Sequence, residues 1–137
     1  MPIRDDASIP DHTALCRVLI KRQWVSNKGG RPRPTSDSFN DCTGETSCFV
    51  SGPNTIAELR RLFPDAFAFA TFPARILREN GFGIERRPED CHPDYHGNSQ
   101  DHVVFGPTEA LSRKDCERRV SAIVKHLDVV IDGLLGT

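Results

Sequence analysis

The chain has 137 residues, with 18 basic and 19 acidic side chains and a formal net charge of −1. That length suits one domain able to bury a core without a metal or a disulfide framework, and the near-neutral charge gives no bulk field for nucleic acid or an anionic membrane. Hydrophobic residues make up 37% and charged ones 27%, a balance that excludes a disordered chain. No apolar run approaches the ~20 residues of a membrane span. The N-terminus carries Asp5 and Asp6 and no apolar h-region of a signal peptide. The expected compartment is therefore the cytoplasm, with thiols reduced.

In chain order, residues 1–10 read as a loose N-terminal arm of a single domain spanning 1–137. Asp11 can cap a short helical turn over 12–15. Residues 16–20 (CRVLI) are β-branched and apolar and predict a strand, which Trp24 and Val25 continue or restart. Residues 26–35 hold two glycines and two prolines and predict a loop. A short strand over 36–39, a turn over 40–44 and a better strand over 47–50 follow. Asn54 or Thr55 caps a helix through Phe63, with Ile56, Leu59, Leu62 and Phe63 on one face, stopped by Pro64.

The alternation AFAFAT predicts a strand over 66–71 with Phe67 and Phe69 on one face. Pro73 opens a second helix through Glu79, and Asn80-Gly81 closes it. Residues 82–86 and 102–105 read as strands around an irregular polar loop, 88–100. Apolar residues at Cys116, Val120, Ile123, Leu127, Val130 and Leu134 predict one long amphipathic helix over 112–134, capped by Ser112 with Asp115 three residues on. The sum is an α+β domain: a small, mostly antiparallel sheet of about five strands, two short helices and one long C-terminal helix. The middle of the chain allows one parallel crossover.

Five cysteines, Cys16, Cys42, Cys48, Cys91 and Cys116, are scattered without a CxxC, which argues against a disulfide framework. Cys16 and Cys48, among apolar neighbours, read as small core residues. Cys91, His92, His96 and His102 offer zinc-type donors, but their spacing matches no standard structural site, so no metal is expected. The basic stretch Lys21, Arg22, Lys28, Arg31 and Arg33 contains no acid. It reads as a solvated loop or as a contact for phosphate or an acidic partner. With Trp24 its single interleaved aromatic, it argues against nucleic-acid binding.

Three hydroxyls, Thr35, Ser36 and Ser38, follow Arg31 and Arg33 closely. Guanidinium and hydroxyl groups together suit phosphate or carboxylate, while such hydroxyls also satisfy turn backbone. His102 opens an apolar strand beside the polar loop. It reads either as a hydrogen-bonded structural histidine or as a general base. No GxGxxG, GxxxxGK[ST] or GxSxG sequence occurs.

Arg17, the run 33–39 (RPTSDSF), Ser47, Arg75, Gly81, Arg87-Pro88, His102 and Gly106 form a pattern over most of residues 15–106. It resembles a group of small bacterial proteins with an arginine in the first strand, an RPSSxAF segment, an SV strand, a helix ending in R…G, and HAxVxG. That resemblance implies no particular activity. A second likeness rests on Arg17, Gly30-Arg31, the strand 48–50 and Glu58. It is similar to ADP-ribosyltransferase-like toxins of the RES type and implies NAD held by an arginine and hydroxyls, with an acid orienting the acceptor.

The expected function is a cytosolic module that binds a protein partner or a small anionic ligand through Arg17, Arg33, Ser36 and Ser38, without catalysis or cofactor. The alternative is an ADP-ribosyltransferase-like or other nucleotide-handling enzyme, with Arg17, Ser36, Ser38 and His102 around one pocket, His102 and Arg17 as catalytic candidates, and NAD as cofactor.

Overall fold

The computed structural model describes residues 2–26, 32–39, 46–125 and 127–131. Among them are eight strands: β1 (Ala14–Leu19), β2 (Val25–Ser26), β3 (Arg33–Pro34), β4 (Thr46–Val50), β5 (Ala68–Pro73), β6 (Phe82–Arg86), β7 (His102–Pro107) and β8 (Asp128–Ile131). Three α-helices join them: α1 (Thr55–Leu62), α2 (Ala74–Glu79) and α3 (Arg113–Val124). Six strands form one sheet in the order β6-β7-β4-β1-β5-β8, and β2 and β3 form a small separate ladder. Every pairing is antiparallel, so the parallel crossover the sequence allows is not used. The fold is α+β.

Period-two alternation gives the sheet two buried faces. Leu15 and Leu19 of β1, Ala68, Ala70 and Phe72 of β5, Ile84 of β6, and Val103 and Phe105 of β7 belong to the main core. Leu77 of α2 and Cys116, Val120 and Ile123 of α3 close it. Cys16, Phe49 and Phe69 form the second cluster with Leu59 of α1, flanked by Val18, Ile56, Phe63 and Tyr95. Phe67 lies ahead of β5 and packs on the first cluster, so it does not share a face with Phe69. Both faces being covered is why strands such as β7 read as continuous apolar runs.

The helix starts follow the sequence and one helix end does not. Ser112 caps α3, its hydroxyl accepting the Asp115 amide at 3.1 Å, and the expected stripe is buried at Cys116, Val120 and Ile123. The helix stops at Val124 rather than running through 134. Residues 128–131 (DVVI) instead form β8, which pairs with β5 from Asp128↔Thr71 to Ile131↔Ala68. The β-branched run Val129-Val130-Ile131 favours an extended chain, and the edge of β5 supplies its partners. Residues 36–39 form a 3-10 turn rather than a strand. The Ser38 amide and hydroxyl both donate to the Thr35 carbonyl, at 3.1 and 2.6 Å, which closes the chain on itself. The sequence predicts a helical turn over 12–15, but β1 already begins at Ala14.

Residues 2–10 contain no helix or strand, yet they are held rather than loose. Ile3 and Ile9 are buried. The Ile3 amide donates to the Pro107 carbonyl and the Asp6 amide to the Ile84 carbonyl. Asp5 accepts the Ile84 amide and pairs with Arg78, which also pairs with Asp11. The segment thereby covers the outer edge of β6, an edge that would otherwise present unpaired backbone.

Gly83 is where the segment's backbone closes on β6. A Cβ there would lie 2.7 Å from Thr108 Cγ2, 3.0 Å from Asp5 Cβ and 3.2 Å from Asp5 Cα. Gly83→Ala is expected to lower stability by about 1–3 kcal/mol, the usual cost of overpacking, by lifting the segment off β6. Thermal unfolding checks this, and an unchanged midpoint would mean the segment is not held there.

Candidate functional site

β1 and β4 pair at Leu15↔Val50 and Cys16↔Phe49, and the ladder ends there. Continued, it would bring Val18 opposite Ser47. Instead the two strands part, and the side chain of Arg17 bridges them. Its Nη1 donates to the Ser47 carbonyl at 2.8 Å and its Nε to the Ser38 carbonyl at 2.7 Å. The guanidinium also lies over the rings of Trp24 and Phe39, with centroids at 5.5 and 5.9 Å. Two charge-assisted bonds and two ring faces hold it in one orientation. The gap opens as a groove of about 170 Å³ lined by Arg17, Val18, Ile20, Trp24, Phe49 and Phe63, with Ser47 and Cys48 on β4.

Ser47 is exposed to this groove, and His102 is buried behind it at 4% exposure. His102 starts β7 opposite Phe49, so Ser47, two residues back along β4, is its diagonal neighbour on the same face. Ser47 Oγ and His102 Nε2 are 2.6 Å apart. On the far side of the ring, Nδ1 is 2.7 Å from the Arg87 carbonyl oxygen. A carbonyl only accepts, so Nδ1 carries the proton, and in the neutral ring Nε2 accepts the hydroxyl hydrogen of Ser47. The Arg87 amide donates to the His102 carbonyl at 2.9 Å, which fixes that backbone. Phe49 stands edge-on to the imidazole at 5.2 Å, and Tyr95 packs on Phe49 at 5.0 Å.

One chain of polar contacts thus runs from the Ser38 carbonyl through Arg17 to Ser47, then through His102 to the Arg87 carbonyl. It draws together Arg17, Ser38 and His102 from the sequence candidates. The Ser38 contribution is its carbonyl, however: the hydroxyl is buried and donates to Thr35. Ser36 is exposed on the same 3-10 turn. Arg33 sits in β3 opposite Ser26, and Lys28 and Arg31 lie outside the described residues. Arg75 is at the other end of β1, in an exposed pair with Glu79. Ser47 is the member that residue-by-residue reading did not single out as a site; only the SV strand of the resemblance touched it.

The polar loop around 91–96 serves α1 instead. Glu58 accepts from Arg61 at 2.6 Å and from the His96 amide at 2.8 Å, and Arg61 donates to the Asp94 carbonyl. His92 accepts the Asp94 amide and meets the ring of Phe63. No group of three His, Cys, Asp or Glu among the described residues is placed to hold a metal ion.

The Arg61 hydrogen bond holds the Glu58 carboxyl below its ordinary value of 4.5, and the His96 amide adds to this. A depressed acid stabilises the fold fully above that value and loses its contribution as pH falls through the lower, folded-state one. Acidification from pH 7 is therefore expected to free the His96 amide for exchange below pH 4.5, with Glu58→Gln removing the pH dependence. Amide exchange across 92–97 checks it; a loop equally protected at both ends of the titration would contradict it.

The thiols offer no competing nucleophile in the groove. Burial pushes Cys16 up to about 12 and Cys48 well upward too, so both stay protonated and inert. Cys16, Cys48 and Cys91 are free. Cys116 is disulfide-bonded, a departure from the expectation of uniformly reduced thiols, and Cys42 lies outside the described residues. No helix among the described residues is long and apolar enough to cross a membrane.

No family model, curated protein or solved structure matches the chain.

Proposed function

We propose that this chain is a binding module for a small anionic ligand, seated where β1 and β4 part. The observation that carries the reading is the groove itself: apolar walls from Val18, Phe49, Phe63 and Trp24, with Arg17 and Ser47 also in its lining. Few polar groups convergent in an apolar concavity are the usual composition of a ligand site. The groove's 170 Å³ is close to the ~150 Å³ that accommodates a benzene-sized body. The favoured ligand is therefore a small aromatic or aliphatic acid, its ring or chain against Trp24 and Phe63 and its anion toward Arg17. Binding of this kind needs no cofactor. A dinucleotide, as the transferase alternative requires, calls for a site nearer the ~300–1,000 Å³ of larger ligands. The cytoplasm remains the proposed compartment.

Trp24 is the single tryptophan of the chain, so its fluorescence reports on this groove alone. Titration with benzoate is expected to give a saturable change, lost in Ser47→Leu, where the added side chain fills the groove from an exposed position. A linear, unsaturable response, or an unchanged titration in Ser47→Leu, would overturn the reading.

A further inference from the structure

We infer that the Ser47 hydroxyl is a nucleophile, activated by His102, that accepts an acyl group from small carboxylic esters seated in the same groove. The inference rests on the binding reading for the substrate's position, and it adds a reaction to it.

Four features support it. Ser47 Oγ is within 2.6 Å of His102 Nε2, the contact a hydroxyl needs to lose its proton during attack. The imidazole is oriented from behind by the Arg87 carbonyl at 2.7 Å, which leaves Nε2 as the basic nitrogen and supplies the third, orienting group of such an arrangement. The two groups differ in access: Ser47 is exposed while His102 is buried under Phe49. A substrate therefore reaches the nucleophile and the base stays shielded from water. Finally, Arg17 lines the same groove and donates to the Ser47 carbonyl, so a fixed positive charge borders the site in which the acyl group would sit.

The bonds balance without any further reactant. Ser47 Oγ attacks the ester carbonyl carbon as His102 Nε2 takes the hydroxyl proton; the other ring proton stays on Nδ1, donated in a hydrogen bond to the Arg87 carbonyl. The bond from that carbon to the leaving oxygen breaks, and Nε2 passes its proton to the departing alcohol or phenol. Water then attacks the acyl-Ser47 carbonyl, gives one proton through Nε2 to Ser47 Oγ, and releases the carboxylic acid. The groove's size limits the acyl group and leaving group together to about the bulk of one aromatic ring with a short chain.

The test is incubation of the full chain with p-nitrophenyl acetate, following nitrophenolate release and locating the acetyl group by peptide mass analysis. The expected result is one acetyl group on Ser47, none in Ser47→Ala, and a labelling rate lowered about a hundredfold or more in His102→Gln, the usual scale of general-base assistance. Both variants are checked for native unfolding midpoints, because each removes one partner of the Ser47–His102 hydrogen bond. Labelling confined to lysines, or equal nitrophenolate release from wild type and Ser47→Ala, would overturn the inference. If the Trp24 titration with benzoate saturates while Ser47 stays unlabelled, the nucleophile fails and the binding site stands. If neither occurs, both fail.

Discussion

Phe105→Ala is expected to remove about 3–5 kcal/mol of folding stability, the range for truncating a fully buried phenylalanine. Phe105 has no exposed surface and lies in β7 between Ile84 of β6 and Thr46 of β4. Its ring meets those of Phe39, Phe72 and Phe82, with centroids at 5.4, 6.0 and 6.5 Å. Those three come from the 3-10 turn over 36–39, from β5 and from β6. Truncation therefore leaves a void shared by elements far apart in sequence, none of which can collapse into it without moving the sheet. Domains are stable by only about 5–15 kcal/mol, so the variant should unfold at much lower urea concentration with a similar slope. A loss below about 1 kcal/mol would mean that the cluster repacks freely, against the usual behaviour of close-packed cores.

Arg17→Met is expected to cost about 2–4 kcal/mol, from two charge-assisted hydrogen bonds discounted for partial exposure. Methionine keeps most of the apolar stem but none of the donors. The Ser38 and Ser47 carbonyls then lose their shared partner, and the 36–39 turn loses its tie to β1. Arg17→Lys keeps the charge and is still expected to recover less than half of the loss, because an ammonium cannot serve both carbonyls while stacking on Trp24 and Phe39 as a planar guanidinium does. Urea unfolding of the two variants checks this. Wild-type stability in the lysine variant would show that charge alone, rather than the fork geometry, holds the gap.

Local signals were readable where one residue type dictates the chain's course. Pro64 and Gly81 mark the limits that α1 and α2 respect, and Ser112 caps α3 as its hydroxyl suggests. The stripe that extends α3 to 134 on paper is ambiguous because Leu127 and Val130 suit a helix face as well as an extended chain. The available edge of β5, a long-range fact, settles it. Ser36–Phe39 shows the same limit at a smaller scale: its hydroxyls suit a ligand by type, but Ser38 closes its own turn.

At the site, Arg17 and His102 stood out, one as a cation in an apolar strand and the other as a histidine opening one. Their connection did not. It runs through Ser47, which is 55 residues from His102 in sequence and meets it only because β4 and β7 pair in one particular register. A shift of that register by one residue would turn Ser47 to the other face and break the contact. No spacing rule records such a pairing.

The groove between β1 and β4 is the proposed place at which this chain meets its ligand. Backbone amide shifts recorded during a benzoate titration test it most directly. Saturable shifts are expected, concentrated at Arg17, Val18, Trp24, Ser47 and Phe63. Shifts gathered instead around Asn54, Glu58 and Tyr95, which line a separate concavity beside α1, would contradict it, as would no saturable shifts at all.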